Sequence, residues 1–266
     1  MPSNPDFDAI HRTAVRAAYR SGRILKQYFG NIHHIRKKGQ IDLVSEADTT
    51  SEAAIIETIH ERFPDHAILA EESGASEEGR ASVRWVIDPL DGTTNFVHRI
   101  GVFAVSIGVL YQDEPVVGVV LNPVSGELFS AVYGQGATCN GLPIRVSATD
   151  SIQESLLATG FPYQVPQMVD TILPRLSRCL KASQGIRRLG AASIDLCYVA
   201  SGRFDGFWEQ NLKPWDTAAG LVIAREAGAT ITDFANHPYR VTCDQILATN
   251  GLIHESMIEL LDIEGQ

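Results

Sequence analysis

Four acidic residues adjoin apolar segments, a position typical of carboxylates that bind a metal ion. Glu71 directly follows the apolar run 67–70, and Asp88 and Asp91 end the next apolar run. Asp216 opens a later apolar segment. Burial and neighbouring like charges both raise the pKa of a carboxyl group, so such a cluster needs a neutralising partner. A hard divalent cation supplies it, and oxygen-only ligands select Mg²⁺, Mn²⁺ or Ca²⁺.

Each acidic cluster also has an ordinary interpretation when it is taken alone. Glu71 and Glu72 are typical of a solvated strand end, Asp88 and Asp91 of a turn, and Asp216 of a helix cap. Because all three clusters adjoin apolar runs, one shared cause is favoured. The lack of His and Cys beside them counts against zinc.

The residues after Asp91 add an anion site to the acidic cluster. Gly92, Thr93 and Thr94 combine an unhindered backbone with two hydroxyls at a predicted helix start. The first N–H groups of a helix lack intrahelical partners and bind anions. Asp216 lies in the first turn of another predicted helix, where the helix dipole stabilises its charge. Carboxylates beside an anion site indicate a metal-bound phosphate.

The periodicity of apolar residues predicts the elements that position these groups. A period of 3.6 residues predicts helices, and short apolar runs between turn residues predict strands. The second helix is predicted to begin with a capping box formed by Thr49 and Glu52. The predicted helices are 8–29, 49–63, 168–182, one after 192, and 215–227. The predicted strands are 67–70, 84–87, 103–111, 115–121, 127–133, 156–159, 186–189, 204–209, 229–232 and 246–249.

The order of these elements predicts the fold class. Turn-rich connections in the first half favour an antiparallel meander, whereas the second half alternates helices and strands. No shift in composition marks a linker between the halves. We therefore expect one α+β domain over residues 1–266, with an α+β first half and an α/β second half that share one core.

The composition excludes several classes of protein. The 266 residues contain 22 Lys and Arg against 32 Asp and Glu, which gives a net charge of −10. This balance argues against a protein that coats nucleic acid or lies on an anionic membrane. The N-terminus has no signal-peptide pattern, and no apolar run approaches the roughly 20 residues that span a bilayer. We expect a soluble cytoplasmic protein whose four cysteines are separate buried thiols.

Three motifs, in this order, resemble those of the inositol monophosphatase family. They are Glu-Glu-Ser at 71–73, WVIDPLDGTTNF at 85–96 and WDTAAG at 215–220. The second motif is long and specific, and the other two gain weight from their order and spacing. The resemblance covers nearly the whole chain. It implies a layered αβαβα sandwich of the sugar-phosphatase type, a homodimer, and lithium-sensitive phosphatase activity.

The resemblance implies a centre of two Mg²⁺ ions. Its ligands would be Glu71, Asp88, the carbonyl of Leu90, Asp91 and Asp216. Asp88 would bridge the two ions, and a weaker third ion would lie near Glu71. Two such ions, roughly 3.5–4 Å apart, activate a water and stabilise the leaving oxygen, so the reaction requires no covalent nucleophile.

The resemblance also implies catalytic and substrate-binding residues. The catalytic residues would be Thr93, Asp48 and Glu71, with Thr93 supported by Asp48 to orient the attacking water. The substrate-binding residues would be Asp91, Gly92, Thr93, Ala192, Glu209 and Asp216. The amides of Gly92 and Thr93 would hold the phosphate, while Ala192 and Glu209 would meet the hydroxyls of a polyol.

The leading hypothesis is Mg²⁺-dependent hydrolysis of myo-inositol monophosphates and related polyol phosphates. Fructose 1,6-bisphosphate, histidinol phosphate and a 3′-phosphonucleotide are alternative substrates. The Glu209 carboxylate favours a neutral polyol, because it accepts hydroxyl hydrogen bonds and repels a second phosphate. A hypothesis of another class is an interaction protein of the transcription apparatus, with basic residues at 36–38 and 187–188. Two or three charges are too few to indicate a nucleic-acid surface.

Overall fold

The computed structural model describes residues 5–30, 35–37, 43–75, 82–162 and 165–263, with backbone alone at 35–37 and 43–45. Helices form where the 3.6-residue apolar stripe continues for several turns. In these residues the α-helices are α1 (Phe7–Tyr28), α2 (Glu46–His60), α3 (Thr93–Val97), α4 (Val165–Ala182), α5 (Ala192–Ala200), α6 (Pro214–Glu226) and α7 (His254–Leu261). None of the described helices combines the length and apolarity needed to span a membrane.

The described strands form three sheets. A small antiparallel sheet pairs β1 (Ile35–Lys37) with β2 (Leu43–Ser45). An eight-stranded sheet contains β3 (Ala67–Ala70), β4 (Gly74–Ala75), β5 (Val83–Asp91), β6 (Ala104–Tyr111), β7 (Glu114–Asn122), β8 (Glu127–Val132), β9 (Ala137–Cys139) and β10 (Leu142–Ile144). A five-stranded sheet contains β11 (Leu156–Thr159), β12 (Gly185–Arg187), β13 (Gly206–Gln210), β14 (Thr230–Thr232) and β15 (Gln245–Thr249).

The strand order agrees with the predicted meander and modifies the predicted α/β half. From β5 to β10 the strands pair antiparallel in chain order, and β3 pairs parallel with β5. In the second sheet β11 is parallel to β12 and β13, whereas β15 runs antiparallel to both of its neighbours. The second half is therefore a mixed sheet.

The prediction of a capping box at Thr49 is wrong, because α2 begins three residues earlier, at Glu46. Thr49 lies inside the helix, and its hydroxyl donates a hydrogen bond to the carbonyl of Glu46. The Glu52 carboxylate accepts hydrogen bonds from amides 20 and 21 residues away. The Glu52 side chain therefore makes a tertiary contact with a distant turn, although the local pattern predicts that it caps its own helix.

Five layers stack through three hydrophobic clusters. Helices α1 and α2 cover one face of the eight-stranded sheet, α5 and α6 lie between the two large sheets, and α4 and α7 cover the outer face of the five-stranded sheet. The middle cluster joins both sheets, since it contains Phe129 of β8 and Phe207 of β13. The predicted α+β class and layered αβαβα order are confirmed. The single domain over residues 1–266 stays a prediction.

Two glycines let α6 approach the eight-stranded sheet closely. Gly108 of β6 and Gly118 of β7 are cross-strand partners beneath the helix. A Cβ at Gly108 would lie 2.6 Å from the Cβ of Ala218, and one at Gly118 would lie 2.3 Å from the carbonyl oxygen of Ala219. Any larger residue at these positions would lift α6, and with it Asp216, away from β5.

The cysteines only partly follow the prediction of buried thiols. Cys179 and Cys197 are buried, whereas Cys139 and Cys243 are half-buried. Burial raises the pKa of the Cys179 thiol to about 12, so this group is a weak nucleophile at neutral pH.

Candidate active site

A β-bulge in β5 brings Asp88 and Asp91 to the same face of the sheet. The register pairs Asp88 with Ser106 and Asp91 with Ala104, so two intervening residues of β5 lie opposite one residue of β6. In a regular strand, residues three positions apart point to opposite faces. The extra residue of the bulge reverses that relation. Both carboxylates therefore face the side of the sheet that α6 covers.

Hydrogen bonds fix the backbone of the bulge. The amide of Leu90 donates to Oδ1 of Asp88 at 2.9 Å, and the hydroxyl of Thr93 donates to the carbonyl of Leu90 at 3.1 Å. From α2, the hydroxyl of Ser51 donates to the carbonyl of Pro89 at 3.1 Å. The carbonyl that was predicted as a metal ligand is thus held beside Asp88 by side chains from two helices.

Gly92 joins the bulge to the short helix α3. Its φ is +95°, a left-handed conformation that glycine adopts without strain. A Cβ there would also lie 3.0 Å from the carbonyl oxygen of Val102. Thr93 is the first residue of α3 and is buried. The predicted anion site therefore has the expected local structure, a glycine followed by a helix start.

Glu71 lies beside Asp88 at the edge of the same sheet. Strand β3 ends at Ala70, which pairs with Ile87 in the parallel ladder, and the amide of Glu71 donates to the carbonyl of Ile87. Glu71 and Asp88 are therefore the next residues of two neighbouring parallel strands. Glu71 is half-buried.

Asp216 approaches the bulge from the N-terminus of α6. It is the third residue of the helix, and its Oδ2 accepts a hydrogen bond from the amide of Lys213 at 2.6 Å. The hydroxyl of Ser106 donates to the carbonyl of Trp215 at 3.3 Å. Since Ser106 is also the cross-strand partner of Asp88, one residue connects the sheet face to the helix start.

The other three carboxylates of the cluster act electrostatically on Asp88. Burial raises the pKa of Asp88 well above its usual range, and the charges of Glu71, Asp91 and Asp216 raise it further. The pKa of Asp216 is raised by burial and then by Asp91. The cluster therefore resists full ionisation when no cation is present.

The donor set of this acidic cluster fits a hard divalent cation. It offers four carboxylates and one backbone carbonyl, all oxygen ligands, and a cation would reverse the repulsion that raises their pKa values. Asp88, Asp91 and Asp216 each direct one oxygen to a backbone N–H. Across the described residues, no three His, Cys, Asp or Glu side chains surround a common metal position as they stand.

Ser193 is a contact of Asp91 that the sequence did not predict. Its amide and its hydroxyl both donate to Oδ2 of Asp91, at 2.8 and 2.5 Å. Ala192, which was predicted to bind substrate, is the first residue of α5 and is buried, and its amide also bonds to Asp91. The N-terminus of α5 thus completes the wall of the site, and these bonds oppose the burial that raises the pKa of Asp91.

Glu209 and Asp195 form a second acidic pair beside the first cluster. Burial, and then the charge of Asp216, raises the pKa of Glu209 to about 8. Burial and the charge of Glu209 raise the pKa of Asp195 well above its usual range. Arg188 opposes both shifts, and its guanidinium lies over the ring of Phe161. The sequence prediction omitted Asp195, although a carboxylate within the apolar stretch 192–200 was the available signal.

One oxygen of Asp195 has no hydrogen-bond partner in the described part of the chain. This oxygen, Oδ1, is inaccessible to solvent. We expect Asp195→Asn to raise the free energy of unfolding by about 1–3 kcal/mol at pH 8, because the neutral amide removes the cost of burying a charge beside Glu209. Because the pKa of Asp195 is raised in the folded state, its contribution to stability is lost as pH rises through that pKa. The stabilisation by Asp195→Asn should therefore be smaller at pH 5 than at pH 8. Urea unfolding in EDTA at both pH values measures the difference.

The exposed Asp170 of α4 provides the matched control for this prediction. Asp170→Asn should change the free energy of unfolding by less than about 0.5 kcal/mol at either pH. An Asp195→Asn effect that is equal at pH 5 and pH 8 would contradict the electrostatic origin of the gain.

Asp48 lies in the first turn of α2 and is 2% exposed. It shares its helix with Ser51, which bonds to the bulge. The support of Thr93 by Asp48 stays a prediction. Of the basic residues at 36–38, position 38 lies outside the described residues and the side chains at 36 and 37 are not described.

Comparisons with known proteins agree with this geometry. The model of the inositol monophosphatase family matches residues 6–266. The chain belongs to the inositol monophosphatase family. The predicted phosphatase is thereby confirmed, and enzymes of this family are generally metal-dependent.

Three relatives illustrate how far the similarity extends. Inositol-1-monophosphatase of Synechocystis is 48% identical over 260 residues, which are 97% of this chain and 91% of that protein. Nus factor SuhB of Escherichia coli is 42% identical over 248 residues, 92% of each chain. The structure of extragenic suppressor protein suhB from Bartonella henselae has a TM-score of 0.93 at 39% identity and covers 97% of this chain and all of that one. The inositol monophosphatase fold is therefore shared over nearly the full length.

Proposed function

We propose that the protein hydrolyses myo-inositol monophosphates and related polyol phosphates to the free polyol and inorganic phosphate, with Mg²⁺ as cofactor. The observation that carries the proposal is the buried acidic cluster, in which the charges of Glu71, Asp91 and Asp216 raise the pKa of Asp88. These residues lie beside a helix start that suits a phosphate. The family relationship supports the same activity.

In this proposal the acidic cluster holds the cofactor. Asp88 would bridge two ions, with Glu71 and the carbonyl of Leu90 on one side and Asp91 and Asp216 on the other. Bound Mg²⁺ supplies a water of lowered pKa and positive charge for the phosphate oxygens. The hydrogen bonds from Ser193 to Asp91 and from Lys213 to Asp216 orient these carboxylates before the ions arrive.

The chain's own residues would orient the water and the phosphate. Thr93 would accept a hydrogen bond from the attacking water, and its own hydroxyl proton would turn from the Leu90 carbonyl to Asp48, which would take it as the water is deprotonated. The amides of Gly92 and Thr93 would donate to the phosphate oxygens. The buried positions of Thr93 and Asp48 would exclude bulk water from this proton path.

Glu209 would bind the hydroxyl groups of the polyol. Its carboxylate lies against Gly160, where a Cβ would come within 2.0 Å of Oε2, so only glycine leaves room for it. Asp195 is a second acid beside Glu209, and the positive charge of Arg188 acts on both of them. When both acids are ionised, two carboxylates against one cation favour a neutral polyol over a second phosphate, which disfavours fructose 1,6-bisphosphate as the substrate.

Glu209→Gln tests the assignment of the polyol site. At pH 9, above the raised pKa of Glu209, we expect kcat/KM for inositol 1-phosphate to fall by the equivalent of about 1–3 kcal/mol, the scale of a hydrogen bond to a charged group. The value for an aryl phosphate, which has no polyol hydroxyls, should change less. Glu259→Gln on the exposed face of α7 is the matched control and should leave both substrates unchanged. Equal losses on both substrates would contradict the role of Glu209.

A panel of phosphate esters, assayed with Mg²⁺ and with EDTA, tests the proposed function as a whole. Inositol monophosphates should have the highest kcat/KM, and EDTA should abolish all turnover. A bisphosphate, histidinol phosphate or nucleotide with higher kcat/KM would replace the proposed substrate.

We further propose a cytoplasmic homodimer, which fractionation of cells and light scattering from the purified protein would test.

A role in transcription is a second candidate, because a relative at 42% identity is a Nus factor. Arg187 and Arg188 are exposed, but Arg188 also acts on Asp195 and Glu209 in the site. Retention of RNA polymerase by immobilised Asp88→Asn protein would support this role separately from catalysis. Loss of retention in Arg187→Ala would place the contact at this pair.

A further inference from the structure

Glu52 joins α2 to the turn that carries Glu71. Its Oε2 accepts a hydrogen bond from the amide of Glu72 at 2.8 Å, and its Oε1 accepts one from the amide of Ser73 at 2.9 Å. The Glu52 side chain is 4% exposed. Both carboxylate oxygens are therefore used by adjacent backbone amides, in the two-pronged arrangement that a carboxylate provides and an amide side chain does not.

The turn that Glu52 holds is short and sharply bent. Strand β3 ends at Ala70, and Gly74 of β4 already pairs back with that residue. Only three residues, Glu71 to Ser73, make the reversal, and Gly74 has a φ of +76°. The amides of Glu72 and Ser73 both donate to Glu52, so loss of this carboxylate removes one hydrogen bond from each of them.

We infer that Glu52 is a positioning residue that sets the Glu71 carboxylate for metal binding. The inference rests on the proposed function for the role of Glu71 as a ligand. By anchoring the two amides that follow Glu71, the Glu52 carboxylate fixes the backbone from which the Glu71 side chain projects toward Asp88.

The same face of α2 contacts the other half of the acidic cluster. Ser51 donates to the carbonyl of Pro89 beside the predicted ligand carbonyl of Leu90, and it also bonds to Ser21 of α1. Neighbouring residues of one helix thus hold the ends of both β3 and β5. Helix α2 therefore contacts the backbone beside both Glu71 and Asp88, and Glu52 is its contact on the Glu71 side.

Glu52→Gln tests this inference through Mg²⁺ affinity, measured by calorimetry with the metal alone. A glutamine accepts one of the two amides and turns an NH₂ group toward the other. We expect the dissociation constant to rise by about 10–100-fold, the usual effect of losing a residue that orients a ligand. Glu57→Gln, a change of the same type on the exposed face of α2, removes an ion pair with Arg20 and should change it less than about twofold.

A double-mutant cycle separates positioning from a general structural role. If Glu52 acts through Glu71, then Glu52→Gln should change Mg²⁺ affinity less than about twofold in a Glu71→Gln background. Hydrogen exchange in the metal-free protein gives an independent readout: the amides of Glu72 and Ser73 should exchange at least about tenfold faster in Glu52→Gln. Glu52→Asp keeps both oxygens on a shorter side chain and should lose less affinity than Glu52→Gln.

Three outcomes decide the matter. Wild-type affinity in folded Glu52→Gln, or an equal loss in the Glu71→Gln background, would overturn the positioning role and leave the proposed function intact. Absence of Mg²⁺ binding by the wild type would overturn the proposed function itself, and the positioning role with it. Weaker binding in Glu52→Gln that disappears in the Glu71→Gln background supports the inference.

Discussion

Asp88→Asn is expected to abolish turnover while leaving the metal-free protein at least as stable as the wild type. The substitution removes the proposed bridging ligand, so kcat should fall by at least about 10³, within the range of charge stabilisation at a reacting centre. It also removes one charge from a cluster in which Glu71, Asp91 and Asp216 all raise the pKa of Asp88. These two effects have opposite signs, whereas loss of a purely structural residue would lower activity and stability together.

The pH dependence of stability gives the second part of this prediction. The pKa of Asp88 is raised in the folded state, so the folded protein binds this proton more tightly than the unfolded chain. Its contribution is present at low pH and is lost as pH rises through the folded pKa. In EDTA, the free energy of unfolding of the wild type should fall from pH 5 to pH 8, and that of Asp88→Asn should fall less. At pH 8 in EDTA, Asp88→Asn should therefore have a higher free energy of unfolding than the wild type.

Added Mg²⁺ should stabilise the wild type more than it stabilises Asp88→Asn. The wild type should gain RT ln(1 + [Mg²⁺]/Kd), about 2.7 kcal/mol at a hundred times Kd, and Asp88→Asn should gain far less. Thermal melts with EDTA and with Mg²⁺ measure both effects, and Asp170→Asn is the control. If Asp88→Asn melts well below the wild type in EDTA, the protein itself satisfies Asp88, and the acidic cluster loses its central residue.

Thr93→Ala should reduce kcat by about 10²–10⁴, the usual contribution of general-base assistance. The hydroxyl of Thr93 donates to the carbonyl of Leu90 at the start of α3, and in the proposed function its oxygen would orient the attacking water. Since Thr93 contributes no proposed metal ligand, Mg²⁺ affinity should stay within about threefold of the wild type. Single-turnover kinetics with saturating Mg²⁺ measure the chemical step without product release.

Thr93→Ser and Asp48→Asn are the informative companions of this variant. The serine keeps the hydroxyl, so it should retain most of the activity. Asp48→Asn should slow the reaction in the wild-type background and have little further effect in Thr93→Ala, because the two groups would act as one proton path. A Thr93→Ala enzyme with half of the wild-type kcat would show that metal-bound water requires no help from this hydroxyl.

The sequence by itself determined the residue types of the site and the elements that carry them. Short apolar runs predict β3 and β5, and apolar residues with a period of 3.6 predict α6. Contiguous residues encode these signals, so the order of Glu71, Asp88 and Asp216 at element ends was visible without coordinates. The long motif at 85–96 also identified the chemistry, because its acids, glycine and threonines are adjacent in the chain.

The tertiary structure alone decided which of these groups meet. Period-two alternation places Asp88 and Asp91 on opposite faces of a strand, and only the bulge against β6 puts them on one face. Ser193 donates a hydrogen bond to Asp91, which lies 102 residues earlier in the chain. Glu52, which the sequence predicts as part of a capping box, instead accepts hydrogen bonds from amides that follow β3. The physical reason is that a buried polar group must be paired, and the packing of elements decides which partner is within reach.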